Sequence, residues 1–174
     1  VGINIPTLCH SELLDVKKGG ACRVCVVEVE GKRNLSPACA TPIVDGMVVK
    51  TDTERVIKTR KMMLELLLAN HPLDCMTCEK TGDCKFQDYC YEYDIKESRF
   101  SEGKVKDLPI DDSNKFYYYE PNKCILCGNC VRMCYELQCV GAIGRSERGF
   151  ETHVTAPFEE GLENSTCVSC GNCI

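Results

Sequence analysis

The chain has 174 residues, 44% of them apolar, and carries 26 acidic against 21 basic side chains for a formal charge of -5. That balance argues against a nucleic-acid or anionic-membrane surface, and no apolar run approaches the roughly 18 residues of a membrane span. Sixteen cysteines would suggest a disulfide scaffold in a short secreted protein.

The spacing of those cysteines points elsewhere. Thiols three residues apart converge on one point, which suits a metal or cluster better than several bridges to distant partners. No signal-peptide pattern precedes them, so a reducing, cytoplasmic setting is expected. Small cores shared among several metal sites imply that much of the stability comes from metal. The chain starts at Val1, and its last cysteine triplet stops at Ile174 before a fourth ligand, so a segment of a longer protein is expected.

Residues 1–50 read as β-rich, with strand-like runs at 24–31 and, after the Asp45-Gly46 turn, at 47–51. Cys9, Cys22, Cys25 and Cys39 form a loose set around the glycine-rich loop Gly19-Gly-Ala-Cys-Arg-Val-Cys25. Such a loop can wrap a binuclear cluster. It shares the close pair and distant fourth cysteine of plant-type ferredoxins, although twelve residues separate Cys9 from Cys22.

From Asp52 or Thr53, either suited to cap a helix, residues 54–69 place Val56, Met63, Leu64 and Leu67 on one face, read as core packing, and Pro72 ends the helix. His71-Pro-Leu-Asp-Cys75-Met-Thr-Cys78 and Cys84 follow. They offer three thiols, and the spacing leaves His71 or Cys90 as the fourth ligand. An imidazole there would make a cluster less negative and raise its potential. The charged stretch 96–113 reads as a solvated connector, and Lys115–Glu120 as a strand whose tyrosines pack rather than stack on bases.

Cys124, Cys127, Cys130 and Cys134 match the two-cluster ferredoxin run, in which three cysteines bind one cluster and the fourth ligates the other. Cys134 then joins Cys167, Cys170 and Cys173 around a second [4Fe-4S] cluster, and the Cys124, Cys127 and Cys130 cluster takes a ligand beyond residue 174. Tyr135 stands where that run has proline, without loss of a ligand. Gly128 and Gly171 occupy equivalent places in the repeat and let backbone approach sulfur. Zinc is the competing reading, but triplets with a crossed fourth ligand fit a cubane pair better than the cysteine pairs of zinc ribbons.

Together, Pro6-Thr-Leu-Cys9, Gly20-Ala-Cys-Arg-Val-Cys25, His71-Pro-Leu-Asp-Cys75 and Gly82-Asp-Cys84 resemble the iron-sulfur region shared by three relatives. These are the large iron-sulfur subunit of respiratory complex I, multi-cluster [FeFe]-hydrogenases, and NAD(P)-linked molybdenum or tungsten formate dehydrogenases. The resemblance implies an α+β architecture in three parts: a partial β-grasp [2Fe-2S] domain over 1–50, a small helical [4Fe-4S] domain with its connector over 51–113, and a two-cluster ferredoxin-like domain over 114–174. It makes His71, with Cys75, Cys78 and Cys84, a ligand, and leaves Cys90 and Cys139 supernumerary. One [2Fe-2S] and three [4Fe-4S] clusters are implied, in series from Cys9 through the His71 site to the crossed pair, with no catalytic residue in the segment. Val140-Gly-Ala-Ile143, Arg148-Gly-Phe-Glu-Thr-His-Val154 and Cys167-Val-Ser-Cys-Gly-Asn-Cys173 are most similar to the formate dehydrogenase branch. That branch implies a molybdopterin site elsewhere and flavin-containing NAD(P)-binding, [2Fe-2S] and possible ferredoxin partners.

Overall fold

A computed structural model describes residues 2–15, 19–100 and 107–173. Its α+β architecture consists of two small sheets, two longer helices and many single turns. In the first sheet, β1 (Val26–Val29) lies between β2 (Ser36–Pro37) and β3 (Val49–Lys50), both antiparallel to it. The strand-like runs of the sequence thus shorten at both ends. Central β1 is the apolar one, and three of its four residues are buried.

Helix α1 (Glu54–Leu68) packs on β1. Thr53 is the cap: its hydroxyl accepts from the Val56 N–H at 3.3 Å and donates to Glu28 at 2.9 Å, tying the helix start to the sheet. Val56, Arg60, Leu64 and Leu68 form the buried stripe, four residues apart. Arg60 is admitted because its guanidinium donates to the Val26 carbonyl and the Tyr93 hydroxyl, so no charge is left without acceptors. Met63 and Leu67 flank the stripe, partly buried.

Helix α2 (Lys85–Glu92) completes one core, in which Leu8, Val24, Leu64, Leu68, Phe86 and Cys90 are buried together. Ile125 and Cys127 press on that core from the far end of the chain.

After Pro121, the short helix α3 (Asn129–Arg132) widens into a π turn over Met133–Leu137. A hairpin of β4 (Gly144–Ser146) and β5 (His153–Thr155) follows. Lys115–Glu120 is not a regular strand. Only Tyr119 pairs, with Asp111, through two peptide hydrogen bonds of 2.9 and 2.7 Å.

Side-chain ties join the regions. Arg132 donates to the Asp15 carbonyl at 2.5 Å and to Glu136, whose carboxylate accepts from the Asp15 N–H at 3.1 Å. Lys123 lies 3.1 Å from Glu120 and 3.7 Å from Asp74.

Candidate metal centres

The sixteen cysteines are all free thiols. Among the described residues no three or more His, Cys, Asp or Glu side chains are arranged to hold a single metal ion. The sites are therefore traced from sulfur contacts, peptide N–H groups and shared cavities.

The N-terminal set is the most enclosed. Cys9, Cys22 and Cys25 are buried and Cys39 partly so, and the Cys25 and Cys39 sulfurs are 3.3 Å apart. The Cys22 thiol lowers the Cys9 pKa to about 4 by hydrogen bonding to it, helped by the N–H groups of Cys22, Gly20 and Ala21. The same bond pushes Cys22 upward, while N–H groups of Val24 and Leu8 act on its sulfur in the opposite sense. Burial, and then Cys25, push Cys39 up to about 12. Four soft donors enclosed together, with peptide N–H groups acting on the sulfurs of Cys9 and Cys22, have the chemistry of a thiolate-ligated cluster's donor set.

The second set opens onto a cleft of about 1100 Å³ whose lining includes His71, Cys75, Cys78, Cys84 and Cys90. Cys75–Thr77 is a single tight turn, and the Thr81 hydroxyl donates to the Cys75 carbonyl. The Cys84 sulfur caps α2, accepting from the Gln87 N–H at 3.5 Å. His71 stands edge-on to Phe86, ring centres 5.5 Å apart. Its Nδ1 lies 2.8 Å from the Pro72 carbonyl oxygen. An N–H at Nδ1 fixes the tautomer with the lone pair on Nε2, as metal-binding histidines require. Cys90 belongs to the hydrophobic core, and burial pushes its thiol up to about 11, with Cys75 and Cys84 adding to the rise.

The two triplets fold alike. The Leu126 N–H points at the Cys124 sulfur and the Ser169 N–H at the Cys167 sulfur, each at 3.4 Å. Leu126 and Ser169 share a left-handed backbone, with φ of 57° and 52°, and Gly128 and Gly171 follow with 77° and 78°. At Gly128 glycine has a second reason: a Cβ would collide with the Arg145 guanidinium, which donates to the Leu126 carbonyl at 3.1 Å.

Cys124, Cys127 and Cys130 influence one another. Burial pushes Cys130 up to about 12, and Cys124, Cys127 and Cys173 add to it. Cys134, Cys167, Cys170 and Cys173 line one small cavity of about 30 Å³, so the cysteine from the first run does lie beside the second triplet. Cys134 sits in the π turn and its sulfur accepts from the Ala142 N–H at 3.2 Å. Cys139 is exposed and lines a separate surface pocket with Tyr135 and Leu137.

Cys127 packs against the hydrophobic core that also holds Cys9 and Cys22. The His71 cleft also reaches the first triplet, because Lys123, Ile125 and Asn129 help to line it. Linear order along the chain concealed this.

Sequence reasoning also missed the roles of two tyrosines. Tyr117 hydroxyl and Cys167 sulfur are 3.3 Å apart. The buried Tyr119 hydroxyl has no hydrogen-bond partner among the described residues. Their two-residue spacing, which puts both on one face of an extended chain, was the available signal.

Comparison with known proteins gives concordant results. Residues 1–54 match a 2Fe-2S iron-sulfur cluster binding domain, and residues 60–99 match the NADH-ubiquinone oxidoreductase-G iron-sulfur binding region. The chain is 43% identical, over 99% of its length, to 30% of the NADP-reducing hydrogenase subunit HndD of Solidesulfovibrio fructosivorans. It is 45% identical, over its full length, to 20% of a subunit of the NADH-quinone oxidoreductase of Rhizobium meliloti. It therefore spans less than a third of these curated relatives. A chain from the crystal structure of an NAD+-reducing [NiFe]-hydrogenase in the H2-reduced state superposes with a TM-score of 0.81 at 33% identity, covering 94% of this chain and 68% of that one.

Proposed function

This chain belongs to the same family of iron-sulfur subunits as that hydrogenase chain, and from that premise we propose that it is a four-cluster electron relay for an oxidoreductase active site outside residues 1–174. Cys9, Cys22, Cys25 and Cys39 hold a [2Fe-2S] cluster. His71, Cys75, Cys78 and Cys84 hold a [4Fe-4S] cluster, as do Cys134, Cys167, Cys170 and Cys173. Cys124, Cys127 and Cys130 hold the third cubane with a ligand from elsewhere. The three parts are 1–50, 51–113 and 114–174.

The observation that carries the reading is the N-terminal set: four enclosed thiols that influence one another pairwise, Cys25 and Cys39 at 3.3 Å, with peptide N–H groups acting on the sulfurs of Cys9 and Cys22. Each bound cluster supplies a one-electron carrier. The chain's own residues do the rest. Thiols and the His71 Nε2 bind, N–H groups orient the sulfurs, and Leu8, Val24, Leu64 and Phe86 exclude water. The packing of Cys127 against the core that holds Cys9, and the place of Ile125 and Asn129 in the lining of the His71 cleft, favour a junction at the first triplet over a single file.

The active site served is, on the similarity of 140–143, 148–154 and 167–173 to formate dehydrogenases, a molybdopterin centre for formate and CO2. Flavin-containing NAD(P)-binding and [2Fe-2S] subunits, or ferredoxin, exchange its electrons. A second reading, a hydrogen site, is favoured by the identity with the NADP-reducing hydrogenase subunit. No helix among the described residues is long and apolar enough to cross a membrane.

Iron and acid-labile sulfide analysis of anaerobically purified protein tests the relay: filling of all four sites gives about 14 iron atoms per chain, and colourless protein with zinc refutes it. Replacing His71 with Cys is expected to keep the iron and lower one midpoint potential in an EPR-monitored redox titration. An unchanged titration removes His71 from the ligand set.

A further inference from the structure

The segment 117–119 runs between the two triplets, pinned at Tyr119 by its paired peptide hydrogen bonds with Asp111. Upstream, Asn114 donates to the Ser169 hydroxyl at 2.8 Å and accepts from the Phe116 N–H at 2.9 Å. The segment is thus fastened to the second triplet at one end and to the Asp111 turn at the other. Tyr117 and Tyr119 line one cavity of about 500 Å³ that also exposes the side chains of Cys130 and Cys173, one from each triplet. Tyr118, between them, also borders that cavity but is half exposed, and its hydroxyl interacts with Glu79 instead of a thiol.

The two hydroxyls meet different sulfurs. Tyr117 lies 3.3 Å from the Cys167 sulfur and also interacts with Cys173. Tyr119 interacts with Cys124 and Cys130 and with the Val154 backbone, and its hydroxyl is buried with no hydrogen bond of regular geometry among the described residues. A buried phenol without an acceptor is costly, and sulfur atoms held at that trio would supply one.

We propose that Tyr117 and Tyr119 are paired positioning residues, each donating its phenolic O–H to the sulfur of a different cluster: Tyr117 at the Cys134, Cys167, Cys170 and Cys173 site, Tyr119 at the Cys124, Cys127 and Cys130 site. A hydrogen bond to cluster sulfur stabilises the more negative, reduced state and raises its potential. The phenols keep their protons throughout; only an electron enters or leaves the cluster. One short segment therefore sets two adjacent carriers, with a separate group for each.

This proposal rests on cluster occupancy, which iron and sulfide analysis of the same preparations decides independently. With the full-length subunit, EPR-monitored redox titration of Tyr117→Phe and Tyr119→Phe is expected to retain wild-type iron and sulfide and to shift one midpoint downward in each variant, a different one in each. Tyr118→Phe leaves both midpoints in place. Full iron with both midpoints unmoved in the two variants overturns the proposal, and so does movement of the same midpoint by both. Should a phenylalanine variant fail to load iron, site-specific 3-fluorotyrosine at that position, a stronger donor of the same shape, is the deciding probe. It moves the matching midpoint upward if the bond exists, and an unmoved midpoint refutes it.

Discussion

The N-terminal thiol set and the C-terminal pair of triplets offer the same chemistry from different foundations. Around Cys9 and Cys22 there is a hydrophobic core drawn from a sheet, α1 and α2, with Val24, Val56 and Leu64 sealed from solvent. Around Cys167, Cys170 and Cys173 there are short turns and a two-stranded hairpin. The buried apolar residues of that region are few and small, Ala142, Val154, Ala156 and Leu162, and Cys170 and Cys173 are themselves exposed. The first set lies beside an apolar core of its own region. In the second, thiols, N–H groups and polar side chains make up much of what there is to pack, so on the proposed reading ligation and folding are expected to be coupled there.

Removing the iron should separate the two regions most widely. After anaerobic chelation, hydrogen exchange is expected to stay slow over Val26–Val29 and Glu54–Leu68 and to become fast from Cys124 to Cys173. Equal loss of protection in both regions breaks the distinction.

A smaller effect of opposite location is expected from Leu64→Ala. That side chain is fully buried at the centre of the N-terminal core, and its truncation should cost about 2–5 kcal/mol. The loss is to be read as earlier denaturant unfolding of α1 and the first sheet, with the C-terminal cluster signals retained until later in the titration.

The smallest effect probes the polar fastening of the C-terminal region. Asp111 accepts from the Ser113 hydroxyl at 2.6 Å, the Ser113 N–H at 3.1 Å and the Leu162 N–H at 3.0 Å. Burial works against its charge, yet the bonds from Ser113 and Leu162 outweigh it and hold the carboxyl below the usual range. A depressed folded pKa gives stabilisation that is complete above the ordinary carboxylate value, about 4, and is lost as pH falls through the depressed one. Asp111→Ala should cost about 1–2 kcal/mol at neutral pH, read from exchange at the Leu162 N–H. Asp111→Asn should abolish the acid dependence of that exchange, and a residual dependence of wild-type size assigns it to another group.

What the sequence made legible follows the same division. Helix α1 could be read because one stripe of apolar residues, a threonine cap and Pro72 all act locally. The proposed grouping of the thiols rests on residues close in the chain, except for Cys134, which lines one small cavity with Cys167, Cys170 and Cys173. Arg60 escaped, since its burial depends on the Val26 carbonyl, 34 residues away. Lys115–Glu120 was misread as a strand, because its β-forming tyrosines find a backbone partner at one residue, Tyr119 with Asp111, and not along a neighbouring strand. The β4 and β5 hairpin is three residues a side, too short for alternation to register. The packing of Cys127 against the core that holds Cys9 spans most of the chain, and no local pattern announces it.

The latch between Arg132, Glu136 and Asp15 also bears on how the protein is made. Its bonds join residues 117 and 121 positions apart, and contacts of such span form late because the intervening chain must be gathered first. During synthesis from the N-terminus, the loop at Asp15 stays unfastened until Glu136 has left the ribosome, after the thiols of the first two sites are already out. Folding of the first sheet and α1 can thus precede the bonds that fasten Asp15.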